Sequence, residues 1–430
     1  MENRSVWADV RMPEYPALKG ELRTDVLIVG GGIAGLLAAH ELKESGFDCT
    51  VVERGRICRG TTGKTTAKVT FQHGLIYQKI AGQYGLEKAH KYLMANRSAL
   101  GRIAALAKNI DCDFRKADGY IYSKNDRKAL EREIRVLERI GYSAEFCERV
   151  DLPLPAVGAV KFPNQAVFDP LKFLRGIVSG IRIFENTHVR EIHGTTALCS
   201  SGRVIAKKVI IATHFPFIDR VGCYYLKMYQ NRSSVIALEN SPRPEGFYMD
   251  ADTNGMSFRS VGDLLLIGGG AHRTGDGCRM NELTEFAEEQ YPGAKVKYAW
   301  SAQDCITLDG LPYIGQYSAL TPDWYVLTGF NKWGITTAMA GAEIVRDLIL
   351  EGKSRFADVF DPSRSIFKKQ LLFNGLNAVK DLLSINAPRC THMGCALKRN
   401  RAEHSWDCPC HGSRFSGSGE LLEGPSNKNL

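Results

Sequence analysis

No stretch of this 430-residue chain stays apolar long enough to span a bilayer as a helix. The longest apolar run, Val26 to Ala39, is broken by Gly30, Gly31, Gly32 and Gly35. The first residues hold Glu2, Asp9 and Glu14 and lack an apolar core, so no secretory leader is read there, and a cytoplasmic location is expected. Basic runs are missing as well. Lys and Arg number 56 against 47 Asp and Glu, a net charge of +9, but they are scattered and build no nucleic-acid module, which excludes that class of partner from the reading. Cysteine is dispersed over most of the chain rather than laid out as a disulfide framework. Eight of the twelve stand apart; the other four, Cys390, Cys395, Cys408 and Cys410, share one stretch with His392 and His411. Internal repeats and low-complexity tracts are also lacking. What remains is a soluble globular composition, 44% hydrophobic and 24% charged, of a length that implies two or three domains.

The clearest local signal is a strand, a glycine turn and a helix in succession. Asp25-Val26-Leu27-Ile28-Val29 suits a strand buried on both faces. Gly30-Gly31-Gly32-Ile33-Ala34-Gly35 follows, then helical periodicity to about residue 45, then a second apolar strand, Cys49 to Val52, ending in Glu53. This is the context that a G-x-G-x-x-G string needs before it reads as a dinucleotide site. Gly30 permits the tight turn, Gly32 admits a pyrophosphate close to the backbone, and Gly35 lets the helix lie near the sheet. The helix start offers unpaired N–H groups to the phosphates. Glu53, with Arg54 beside it, would receive the adenosine ribose.

Further along, residues 60–71 form a small hydroxyl-rich loop containing Thr62 and Thr66, suited to the ribityl and ring parts of a flavin. Residues 76–110 and 125–140 are charged and helix-patterned, with a short strand at Tyr120–Tyr122 between them. Short β-rich runs fill residues 223–273. Near the far end come Trp300, the segment Asp309-Gly310-Leu311-Pro312-Tyr313-Ile314-Gly315, a strand over Trp324–Thr328, and Gly329-Phe330-Asn331-Lys332-Trp333-Gly334-Ile335-Thr336 leading into a helix.

With these segments the chain resembles the D-amino-acid-oxidase-like family of FAD-dependent oxidoreductases over roughly residues 20–355. The resemblance implies an α/β fold, a Rossmann-type FAD-binding domain with an inserted antiparallel β-sheet substrate domain. It also implies FAD contacts at Gly329, Gly334, Ile335 and Thr336, where a helix start faces the flavin pyrimidine, and at Val189, Ala212 and Thr213 for the ADP half. Asp309 is placed with that set. Arg259, Arg273 and Lys332 are candidates to receive a substrate carboxylate, because a fixed cation orients one; Lys332 and Arg259 are carried forward as catalytic candidates. Tyr248 and His272 are possible orienting groups.

The tail carries a second signature. Cys390-Thr391-His392-Met393-Gly394-Cys395 and Cys408-Pro409-Cys410-His411-Gly412-Ser413-Arg414-Phe415 give paired C-x-H and C-x-x-H elements. The pattern is similar to a Rieske [2Fe–2S] segment, in which two thiolates hold one iron and two imidazoles the other. The resemblance makes Cys390, Cys408, His392 and His411 the ligands, Cys395 and Cys410 a disulfide pair, and Ser413 a donor to cluster sulfur. A structural zinc site is the competing reading. Only residues 361–389, of helical rather than strand-like pattern, separate the flavin part from Cys390, and little chain follows Phe415. A truncated all-β tail is therefore expected.

The expected division is 20–220 for the first FAD-binding part with its helical insertion, 221–299 for the substrate domain, 300–355 for the second FAD-binding part, 356–387 for a linker and 388–430 for the partial Rieske segment. The leading functional reading is a dehydrogenase. A small amine or amino-acid-like substrate would reduce FAD, and electrons would pass to the [2Fe–2S] cluster and on to a one-electron acceptor. A basic excess from Asp361 onward would suit an acidic redox partner. An oxygen-using flavin oxidase with a vestigial tail and a non-enzymatic flavin redox module are the alternatives.

Overall fold

The run from Asp25 to Val29 needs apolar cover on both faces, and the fold supplies it. In the computed structural model, which describes residues 1–218, 221–252, 255–365 and 387–430, strand β1 (Gly20–Val29) lies at the centre of an eight-stranded sheet. Its parallel neighbours are β2 (Cys49–Val52) and the strand Gly202–Ile211. Beyond Gly202–Ile211 the strand Thr321–Thr328 continues the parallel set, and Tyr313–Ser318 closes that edge antiparallel. Helix α1 (Ile33–Glu44) buries Leu36, Leu37 and Leu42 against this sheet, and the helix Gly334–Glu351 packs against α1. Every small residue from Ala338 to Ala342 in that second helix is buried, which permits the close approach.

A second sheet of nine strands stands beside the first. It is antiparallel except where Phe247–Asp250 runs parallel to Arg115–Ser123. It is also broader than the expected 221–299 unit. Lys68–Val69, Arg115–Ser123, Glu145–Cys147 and Gly158–Val167 all join it from the first part of the chain, and Lys295–Thr307 joins it from the other side. The expected boundaries at 221 and 299 therefore cut through one continuous sheet. Gly158–Val167 is hydrogen-bonded along both edges, to Arg115–Ser123 on one and to Lys68–Val69 and Glu145–Cys147 on the other. The helix-patterned stretches fold as the helices Ile76–Tyr84, Leu86–Ala107 and Arg127–Arg139. Asp126 caps the last of these by accepting from the Ala129 N–H at 2.8 Å.

The tail folds as four short antiparallel strands, Lys398–Asn400, Ser405–Asp407, Arg414–Ser416 and Leu421–Glu423. The expected linker at 356–387, with its helical pattern, lies mostly outside the described residues. Among the described residues no helix is long and apolar enough to cross a membrane.

Candidate functional site

A cavity of about 1010 Å³ opens between the two sheets, and the glycine turn forms one end of it. Gly30 sits there at φ 115°, and a Cβ on it would meet the Ala212 carbonyl oxygen at 2.5 Å. A Cβ on Gly35 would lie 2.0 Å from the Gly30 carbonyl oxygen. Both contacts are with backbone, so no side chain fits at either place. Gly32 is the N-cap of α1 and supplies no side-chain cap. The Ile33 N–H at this helix end is met by the Thr62 hydroxyl oxygen at 3.0 Å, so the hydroxyl-rich loop reaches the site that the sequence assigned to a phosphate. Glu53 accepts from the Gly31 and Gly55 N–H groups at 2.8 and 2.9 Å, which fixes its carboxylate at the cavity wall.

Of the residues expected to bind the cofactor, all line this cavity except Gly35, Asp309 and Gly329. Gly35 serves the approach of helix to turn. Gly329, at φ 71°, is crowded by Thr307, whose methyl a Cβ would meet at 2.4 Å. Asp309 is a correction of a different kind. Its carboxylate pairs with Arg364 at 2.6 and 3.0 Å and accepts from Tyr84 at 2.8 Å. It braces the D-G-x-P turn instead of facing the void.

Among the substrate candidates the cavity keeps only Lys332. Asn331 and Lys332 both adopt left-handed backbone, φ 51° and 74°, and the Lys332 ammonium bonds the Ser233 hydroxyl at 3.0 Å. Its side chain is open to the cavity; partial desolvation by the surrounding walls pulls its pKa down, and Asp304 opposes that shift. Arg259 is absent from the wall. Its guanidinium donates to the carbonyls of Thr66, Ala67 and Phe168, so it straps the hydroxyl-rich loop to the second sheet. Arg273 donates to the Pro409 and Cys410 carbonyls at 2.8 and 3.1 Å. His272 is tied to two glycine carbonyls, and Tyr248 is stacked on Tyr120.

Several cavity residues escaped the sequence reading. Lys68 bonds the Thr66 and Ser257 hydroxyls at 3.0 and 3.3 Å, and burial followed by the Arg259 charge pushes its pKa down to about 7. His73 bonds the Tyr92 hydroxyl at 2.6 Å and stacks on Trp333; burial pushes its pKa down to about 3, so it stays neutral. Asp304 is half-buried near Lys332, His214 and Glu423, and desolvation raises its pKa. Lys68 alone had a signal, a cation inside the loop already singled out. The others depend on contacts distant in sequence.

The two ligand loops of the tail share one turn. Gly394 and Gly412, at φ 76° and 84°, each return an N–H to the carbonyl of the loop's first cysteine at 2.9 Å. The Cys390 and Cys408 N–H groups bond the Cys395 and Ser413 carbonyls at 2.9 and 2.8 Å. The Cys390 and Cys408 thiols are in hydrogen-bonding contact, and the His392 and His411 rings lie 5.0 Å apart, nearly perpendicular. His411 Nδ1 is buried with no hydrogen-bond partner, while the same ring bonds the Tyr225 carbonyl. Cys395 and Cys410 bond each other as thiols, and their sulfurs lie within 4.8 Å of each other and of Cys408. The pair that the resemblance implies as a bridge is thus adjacent, both as thiols. Two soft thiols and two imidazoles converging from opposed loops, one imidazole nitrogen left open, fit a Rieske cluster.

The family described as FAD dependent oxidoreductase matches residues 25–348. The chain belongs to that family. A Rieske [2Fe–2S] domain matches residues 344–430, so FAD and a [2Fe–2S] cluster are its cofactors. YhfW of Bacillus subtilis strain 168, named as a Rieske 2Fe-2S iron–sulfur protein, is 33% identical over 97% of this chain and 95% of its own length. The gamma-glutamylputrescine oxidoreductase of Escherichia coli K12 is 25% identical over 80% of this chain and 87% of its own. Among solved structures, glycine oxidase from Geobacillus kaustophilus superposes with a TM-score of 0.67 at 19% identity, covering 80% of this chain and 99% of that one. That last likeness concerns the fold. The glycine turn, whose cradle no side chain can enter, and the cavity beyond it fit FAD.

Proposed function

We propose that this oxidoreductase is a dehydrogenase for a small amine or amino-acid-like substrate, with the Rieske centre as the exit for its electrons. When bound, FAD takes up a hydride and the cluster carries single electrons, so the pair joins two-electron to one-electron chemistry. In this reading Gly30, Gly32 and the start of α1 hold the pyrophosphate, Glu53 and Val189 the adenosine, and Gly334 to Thr336 the pyrimidine edge. Lys332 and Lys68 face the substrate side, where Lys332 orients a carboxylate or other acceptor group. His73, kept neutral, holds Thr336 and Trp333 in place.

One observation carries this reading. The wall of the flavin cavity and the ligand loop of the cluster are bonded directly. Gln230 and Gln303 both line the cavity, and their side chains donate to the His411 and Gly412 carbonyls at 2.8 Å each. The substrate class is taken from the gamma-glutamylputrescine oxidoreductase relative, whose name is that of an amine. A tail fastened this way is poorly described as vestigial.

An anaerobic screen of amines and amino acids tests the proposal, with flavin absorbance and a low-temperature Rieske EPR signal read together. A substrate that bleaches the flavin should also raise the EPR signal, and Cys408→Ser should abolish only the second. Bleaching without any EPR signal, accompanied by peroxide formation in air, would instead establish an oxidase.

A further inference from the structure

Residues 422–427 do more than border the cluster loops. They run along the wall of the same cavity that the glycine turn begins. The flavin-binding part holds them there. Arg54, next to Glu53, donates to the Leu422 carbonyl at 3.0 Å. The Asn427 amide donates to the carbonyls of Val189 and Arg190 at 3.2 and 3.1 Å, and its oxygen is paired with His188 Nε2. Between these contacts Glu423, half-buried, lies close to Lys64 at 3.5 Å and to Arg232 and Arg414 at 3.6 Å each.

The same segment is tied to the cluster loops. The Ser426 N–H bonds the Ser413 hydroxyl at 2.9 Å, and the Thr391 hydroxyl meets Ser426 Oγ at 2.6 Å. Ser413 and Thr391 are each within two residues of an iron ligand. One six-residue segment therefore joins the two cofactor sites, and it does so at Arg54 and Val189, the places where an adenosine would rest.

We propose that residues 422–427 form a retaining wall over the adenosine end of FAD, with Asn427 as its latch, so that FAD is held tightly only while the Rieske tail is docked. This rests on the placement of the adenosine at Glu53 and Val189. The wall serves binding, not chemistry: undocking the tail opens the route by which the cofactor enters and leaves.

Flavin-stripped full-length protein, titrated separately with FAD and with FMN by fluorescence quenching, tests the idea. FMN lacks the adenosine, so it reports the rest of the site. Asn427→Ala removes two hydrogen bonds to the Val189 and Arg190 carbonyls and is expected to weaken FAD about tenfold, with FMN binding unchanged. His188→Ala, which releases the latch from its other side, should shift FAD in the same direction and leave FMN alone. Unfolding midpoints of both variants check that the fold is intact. Should FAD affinity stay within about twofold of the parent in both, or FAD and FMN weaken equally, the wall is refuted. Glu53→Gln separates the two layers of the argument. If it lowers the preference for FAD over FMN while Asn427→Ala does not, the adenosine is placed correctly and only the wall fails; if Glu53→Gln has no effect on that preference, the placement itself is wrong.

Discussion

Gln230 donates its side-chain N–H to the His411 carbonyl at 2.8 Å and accepts from Gln303 at 2.7 Å. Gln303 in turn bonds the Gly412 carbonyl at 2.8 Å and accepts from the Thr274 hydroxyl at 2.9 Å. All of this is shut away from water: Gln230, Gln303 and Thr274 are 1%, 2% and 1% exposed. A buried network whose members are all satisfied is costly to break at one node. Gln303→Leu, close in volume, strands two acceptors and one donor. It is expected to cost about 3 kcal/mol, to lower the denaturation midpoint, and to slow the appearance of the Rieske EPR signal after substrate is mixed in. A midpoint equal to that of the parent would show that water reaches these groups.

Glycine content offers a paired test of the fold. Gly35→Ala would drive a Cβ against the Gly30 carbonyl oxygen, and neither backbone can retreat while the strand, turn and helix remain in register. The variant should purify without flavin absorbance, or fail to accumulate. Gly101→Ala is the counterpart. Gly101 lies in the helix Leu86–Ala107, is exposed, and has nothing within 4 Å of an added Cβ. Replacing glycine by alanine in an exposed helix interior should raise stability by about 1 kcal/mol, read as a higher midpoint with the flavin spectrum intact.

The contrast between these two glycines also shows what the sequence can disclose. A requirement imposed by backbone alone, such as the turn at Gly30 and Gly35, is visible because only one residue type meets it and the neighbours in sequence supply its context. The tail is legible for the same reason, since each ligand loop carries its two ligands within three or four positions. The roles of Arg259 and Arg273 are not legible in the sequence, because a cation's role depends on what it faces. One faces three carbonyls of the first part of the chain, and the other faces the cluster loop. The breadth of the second sheet was hidden too. Nothing local in Gly158–Val167 says that it will pair with Arg115–Ser123 on one side and Lys68–Val69 on the other.

Asp309 gives the pH prediction. It is 3% exposed, and although burial alone would raise its pKa, hydrogen bonds and charge from Arg364, with help from Tyr84, hold it down to about 2. The Arg364 guanidinium also lies 3.7 Å over the Tyr313 ring, so it cannot turn away to another partner without losing that contact. In the unfolded chain the carboxyl returns to about 4. The folded value is the lower one, so the ionised pair contributes stability above about pH 4, and that contribution is lost as pH falls toward 2. Asp309→Asn leaves Arg364 buried beside a neutral amide, which is expected to cost about 3 kcal/mol at pH 7. Because the variant has no carboxyl to protonate, its unfolding midpoint should approach that of the parent between pH 4 and pH 2. Parallel curves for the two proteins across that window would mean that Arg364 and Asp309 do not act as an ion pair.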